Sequence, residues 1–125
     1  GYQTAILAEL AGAVLAVERL EPLFCKGRDN LAKLAYENIR LKLDDGTLGW
    51  PEEAPFDAII VAAGGPRVPQ PLVDQLAPGG RLIVPVGSTA AQQKLTLVIK
   101  DKNGDVTRNT LGDCRFVALV GRHGW

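Results

Sequence analysis

VPQPLVDQLAPGGRLIVPVG, residues 68–87, is the stretch whose reading decides the fold. Its first half is a short helical pattern with Pro69 and Pro71 near the start, where a missing N–H is tolerated because the first turn has no partner for it. Pro78, Gly79 and Gly80 then end the helix, and RLIVPVG is the continuous apolar run of a strand covered on both faces. A helix feeding a buried strand is half of a βαβ unit. The other half lies upstream, where FDAIIVAA, residues 56–63, reads as a second buried strand and GGPRVPQP breaks the chain between the two.

The alternation continues in both directions. AVLAV at residues 13–17 is a short buried strand ending at Glu18, and Leu23, Phe24, Gly27, Leu31, Leu34 and Ala35 recur at helical spacing from Glu21 to about Tyr36. Ile39, Leu41 and Leu43 alternate with Arg40 and Lys42 as a strand, and DDGTLGWPEEAP is a loop with turn chemistry throughout. Downstream, KLTLVIK at residues 94–100 alternates, NGD at 103–105 is a turn, and RFVALV at 115–120 reads as a last strand. Strands alternating with helices predict an α/β, doubly wound domain, mostly parallel and covered on both faces, with an antiparallel strand pair at one edge.

With 125 residues the chain predicts one domain with a real core. Lys+Arg 14 against Asp+Glu 14 gives a formal net charge of +0, which argues against nucleic acid or an anionic membrane as partner. The apolar runs are too short to span a bilayer and no export signal is seen, so the reading expects a cytoplasmic protein. Cys25 and Cys114 lack metal or redox spacing and read as two inert thiols.

In a doubly wound sheet the ligand lies beyond the carboxyl ends of the strands. That rule selects Glu18 and Arg19, then Asp44, Asp45 and Gly46, then Ala62, Ala63, Gly64 and Gly65, then Pro85, Val86, Gly87 and Ser88. Glu18 can accept hydrogen bonds from both hydroxyls of a ribose, or it is a solvated acid paired with Arg19. Asp45 can accept from the amine of an adenine that the Gly46 backbone approaches closely, or DDG is a plain turn. The lone His123, in the tail GRHGW, reads as an exposed terminal residue, and Arg67 as a solvated surface cation.

At the start, GYQTAILAEL opens a helix within a few residues of Gly1 with no capping Ser, Thr, Asp or Asn, and the chain has Met 0. The reading expects the loop feeding that helix to lie upstream.

Taken in order, GYQTAILAEL, AVERLEPL, DDGTLGWPEEAPFDAIIVAAG, VPQPLVDQLAPGGRLIVPVG and RFVALVG resemble the protein-L-isoaspartate O-methyltransferases over essentially the whole chain. In that family a Gly-rich loop, roughly E-x-G-T-G-S-G-Y-x-T-A, wraps S-adenosylmethionine, and Gly1, Tyr2, Gln3, Thr4 and Ala5 match its last part. The resemblance implies a Rossmann-like methyltransferase domain over residues 1–125 whose first strand and N-terminal segment, with the family's catalytic hydroxyl, lie outside this sequence. It implies methylation of the free carboxylate of isoaspartyl residues in damaged proteins. Such a reaction on an ionised carboxylate needs orientation more than acid, base or metal.

The cofactor candidates it implies are Gly1, Tyr2, Gln3, Thr4, Glu18 at the ribose with Arg19 beside it, and Asp45 with Gly46 at the adenine. Ala62, Ala63, Pro85, Val86 and Gly87 would border the methyl group and the peptide. The family member is expected to act as a monomer, with isoaspartyl proteins rather than nucleic acid or membrane as partners. Four positions depart from the family pattern. Asp44 stands where Gly is usual and adds a charge beside the adenine, Gly64 and Gly65 predict a more mobile wall, and Arg67 replaces an apolar or acidic residue. The alternatives are a nicotinamide-dependent oxidoreductase on the same kind of sheet and an inactive fragment of the methyltransferase.

Overall fold

The computed structural model describes residues 1–89 and 91–125. They divide into two compact units, Gly1–Gly46 and Thr47–Trp125.

In the first unit, helix α1 (Tyr2–Leu10) starts from Gly1, whose carbonyl accepts the Ala5 N–H at 2.9 Å. Its far end is closed by a side chain. Asn38 Nδ2 donates to the carbonyls of Ala8 at 2.9 Å and Ala11 at 3.0 Å, supplying partners that a helix C-terminus otherwise lacks. Strand β1 (Val14–Glu18) pairs in parallel with β2 (Ile39–Leu43), Val14 opposite Ile39 through Glu18 opposite Leu43. Helix α2 (Glu21–Leu31) connects them with Pro22 in its first turn. The helix is shorter than the periodicity predicts. A 3-10 turn, Ala32–Leu34, follows it, and Ala35 in the left-handed region at φ 52° stops the spiral before Tyr36.

The second unit holds one sheet in the order β3-β4-β5-β6, built from β3 (Phe56–Ile60), β4 (Leu76–Thr89), β5 (Gln92–Lys100) and β6 (Val106–Cys114). Its core gathers Leu72 and Val73 from the short helix α3 (Gln70–Asp74) with Leu76, Leu82, Val84 and Val98 from the sheet. These residues are almost fully enclosed, which is where most of the unit's hydrophobic stabilisation resides.

Several sequence expectations change here. β4 begins at Leu76, so PGG lies inside the strand; the pairing passes from Phe56 opposite Leu76 to Ala58 opposite Arg81, and the extra residues form a bulge with Gly79 at φ 82°. The last strand is β6, not RFVALV. The turn at residues 101–105, in which Asp101 Oδ1 accepts from Asn103 and Asp105, sets a hairpin register that brings Val106 opposite Lys100 and Cys114 opposite Gln93. RFVALV contributes a single parallel bridge, Ala118 to Gly64.

The antiparallel pair at one sheet edge is therefore present, but with β6 as its outer member. Among the described residues the pairing is mixed rather than mostly parallel: β1–β2 and β3–β4 run parallel, β4–β5 and β5–β6 antiparallel. FDAIIVAA is not covered on both faces. It lies at a sheet edge, and Ala58 and Ile60 are exposed. β1 is likewise half-buried beyond Val14, because its sheet has two strands.

Candidate functional site

In the first unit, the parallel pairing brings the carboxyl ends of β1 and β2 side by side, and the Asp44 N–H donates to the Glu18 carbonyl at 3.0 Å. Glu18 therefore stands next to the segment that carries Asp44, Asp45 and Gly46. Its carboxylate is not paired with Arg19. Instead Oε1 accepts the backbone N–H of Leu20 at 2.8 Å, which fixes the side chain at the strand end with acceptor capacity left over.

Glu18 lines a small concavity of about 110 Å³ together with Gly1 and Thr4 from the start of α1 and Gly27 and Arg28 from α2. Gly1 sits tightly against α2, where a Cβ would lie 3.1 Å from Leu31 Cγ, whereas one on Gly27 would make an ordinary contact at 3.6 Å from the Gly1 nitrogen. Of the cofactor candidates, Gly1, Thr4 and Glu18 meet in this concavity. Tyr2, at 83% exposure, Gln3 and Arg19 point to solvent and do not line it. Space beside Gly46 is open, since an added Cβ there would meet nothing within 4 Å, and its φ is not left-handed. Neither packing nor backbone conformation demands a glycine at that position.

The charge that Asp44 adds is answered locally. Lys42 Nζ lies 2.9 Å from Oδ2, and the Asp45 N–H donates to Oδ1 at 2.8 Å. The Lys42 hydrogen bond, followed by that of Asp45, holds the Asp44 carboxyl below the usual carboxylate range. A folded-state pKa below the unfolded one stabilises the fold above the unfolded value, and this contribution is lost as pH falls through the folded value. Asp44→Asn removes that contribution, so it is expected to lower the urea midpoint slightly at neutral pH and to converge with wild type as pH falls from about 5 to about 2, which flattens the acid side of the pH–stability profile.

In the second unit, the acceptor-side candidates are joined by one glycine. Gly65 bridges Val86 in parallel, its N–H donating to the Pro85 carbonyl at 3.1 Å and its carbonyl accepting from Gly87 at 3.0 Å. This sets Ala62 and Ala63 at the head of a segment running beside Pro85, Val86 and Gly87. Those three lie within β4, which continues to Thr89, and not at its end; the parallel pairing with β3 stops at Ile83, so they extend past the carboxyl end of β3.

The glycines of this wall are buried and hydrogen-bonded. Gly64 is buried, its N–H donates to the Val117 carbonyl at 2.8 Å, and its carbonyl accepts from Leu119 at 2.8 Å and from Trp125 Nε1 at 3.0 Å. A Cβ at Gly64 would fall 2.4 Å from the Gln93 carboxamide, so glycine is there for close packing.

His123 belongs to this folded tail and is half-buried, with its backbone N–H donating to Thr47 Oγ1 at 3.1 Å. Arg67 is exposed, as its sequence context predicts. Both cysteines are free thiols.

Two buried glutamines escape a reading based on charge and turns. Gln75 accepts from the Trp50 N–H and donates to the Leu48 carbonyl, both at 2.8 Å, and Gln93 holds both backbone groups of Phe116. Gln75 follows the buried Leu72 by three residues, whereas Gln93 lies out of phase with the buried Val98 across the shift in pairing between Leu95 and Thr96, so alternation alone does not mark it.

The residues 1–124 match the profile of the protein-L-isoaspartate(D-aspartate) O-methyltransferase family. Protein-L-isoaspartate O-methyltransferase 2 of Geotalea uraniireducens is 54% identical over 125 residues, covering 100% of this chain and 57% of the relative. The chain thus spans a little over half the length of the curated relatives it matches.

Among solved structures, a protein-L-isoaspartate O-methyltransferase superposes with a TM-score of 0.89 at 30% identity, over 99% of this chain and 40% of that one. A beta-aspartate methyltransferase from Plasmodium falciparum, in complex with S-adenosyl-L-homocysteine, superposes at 0.73 with 30% identity, over 86% and 52%. Nothing in these likenesses supports a nicotinamide-dependent oxidoreductase. On its sequence and its α/β fold, the chain belongs to the protein-L-isoaspartate(D-aspartate) O-methyltransferase family.

Proposed function

We propose that this chain takes part in transfer of a methyl group from S-adenosylmethionine to the free carboxylate of isoaspartyl residues in damaged proteins. The observation that carries the reading is Glu18, a fixed carboxylate at the end of β1, in one concavity with Gly1 and Thr4. In this reading residues 1–125 are parts of one methyltransferase domain.

The residues present fit the cofactor. Glu18 offers charged acceptor oxygens to a ribose, and Asp45 with Gly46, outside that concavity but next to the end of β2, are the candidates for the adenine. The start of α1 presents backbone N–H groups and the positive end of a helix dipole to a carboxylate. Bound there, the cofactor would supply a methyl group on a sulfonium. The acceptor carboxylate is already ionised at neutral pH, so the work of Ala62, Ala63, Pro85, Val86 and Gly87 is to border the peptide, orient it and exclude water.

Damaged proteins are the partners on this reading, and a cytoplasmic location suits two free thiols. Among the described residues no helix is long and apolar enough to cross a membrane. Calorimetric titration of the chain tests the cofactor half. Saturable binding of S-adenosylhomocysteine with none of NAD is expected, and the reverse order would overturn it.

A further inference from the structure

Gln93 is 1% exposed, an unusual place for a carboxamide unless its polar atoms are all used. It accepts the Phe116 N–H at 2.8 Å and donates to the Phe116 carbonyl at 3.1 Å, so a side chain takes the place that a neighbouring strand's backbone would occupy. The same carboxamide closes the space over Gly64, where a Cβ would fall 2.4 Å from Nε2 and 2.6 Å from Oε1. Gly64 in turn pairs with Ala118 and directly follows Ala62 and Ala63. One side chain therefore sets two segments at once. Beside it, residues 115–118 line an open concavity of about 450 Å³, with Arg115 and Val117 exposed.

We propose that Gln93 is a positioning residue for the acceptor side of the site. Its carboxamide holds Ala62, Ala63 and Gly64 in register with residues 115–119 and so shapes the wall that an isoaspartyl peptide meets. The inference rests on the methyltransferase reading given above. Gln93 itself does not touch the acceptor; it acts through Gly64 and Phe116. Loss of the two hydrogen bonds to Phe116 leaves its backbone without those partners and is expected to loosen the strip that packs on Gly64. The cofactor candidates all belong to the first unit and Gln93 to the second.

The test compares the wild-type chain with Q93L, which has no polar atom there, and Q93E, which keeps the acceptor and loses the donor. Amide exchange at Phe116 and Leu119 is expected to quicken about tenfold or more in Q93L, with wild-type rates kept in β1. In methyl transfer, Q93L is expected to raise KM for the isoaspartyl peptide about tenfold and to leave KM for S-adenosylmethionine within about twofold.

Q93E should fall between, with a peptide KM nearer wild type at pH 6.5 than at pH 8.5, because a buried glutamic acid that keeps its proton restores the donor. A merely structural role would raise both KM values together or lower kcat alone, and either result overturns the proposal. Unchanged exchange at Phe116 also overturns it, whatever the activity. No transfer by the wild-type chain would remove the methyltransferase reading instead, and exchange would then decide whether Gln93 holds the wall.

Discussion

Gly87→Ala is expected to lower the thermal midpoint of the chain by more than about 10 °C, the largest stability effect of any single methyl group added here. A Cβ at Gly87 would fall 2.0 Å from the Gln92 carbonyl oxygen and 2.9 Å from the Gln93 Cα. Both are backbone atoms of the adjoining strand, so no side chain can swing aside. The strands must part instead, at a point where Pro85 faces Leu95 and Val86 faces Lys94. Overpacking of that kind costs about 3 kcal/mol, a large share of the total for a domain of this size. Gly64→Ala is the milder comparison, because the Gln93 side chain can yield there at the loss of its bonds to Phe116. Circular dichroism melts of both variants check the order; a Gly87→Ala midpoint within about 2 °C of wild type would contradict it.

Glu18→Gln is expected to weaken binding of S-adenosylhomocysteine by about 10- to 100-fold, since hydrogen bonds to a charged acceptor contribute roughly 1.5–3 kcal/mol. The amide keeps an oxygen for the Leu20 N–H, so the turn into α2 survives and the midpoint without ligand stays at the wild-type value. Affinity lost without stability lost is the signature of a binding residue. Equal affinity in the two proteins, measured by calorimetry, would remove Glu18 from the site.

How much of this the sequence discloses depends on the kind of residue. β1, β2 and β3 are legible because apolar runs and alternation mark them, and the end of β1 points directly to Glu18. β6 is not legible, since VTRNTLGDC is exposed over almost its whole length and its place is fixed by the turn at residues 101–105 and not by its own pattern. RFVALV has the apolar content of a strand, but its backbone partners are Gly64 and the Gln93 side chain, which lie far away in sequence. The charge of Asp44 reads as an addition beside the adenine until Lys42, two residues earlier near the end of β2, is seen to answer it. Gly64 shows the general difficulty most plainly: a glycine kept for flexibility and one kept for contact are the same letter, and the Gln93 carboxamide distinguishes them.

The central claim is methyl transfer to an isoaspartyl carboxylate, and the most direct measurement supplies the chain with methyl-labelled S-adenosylmethionine and an isoaspartyl peptide or its normal aspartyl twin. Label in the isoaspartyl peptide alone is the expected result. Equal label in both peptides, or label in neither while S-adenosylhomocysteine binds, would contradict the claim.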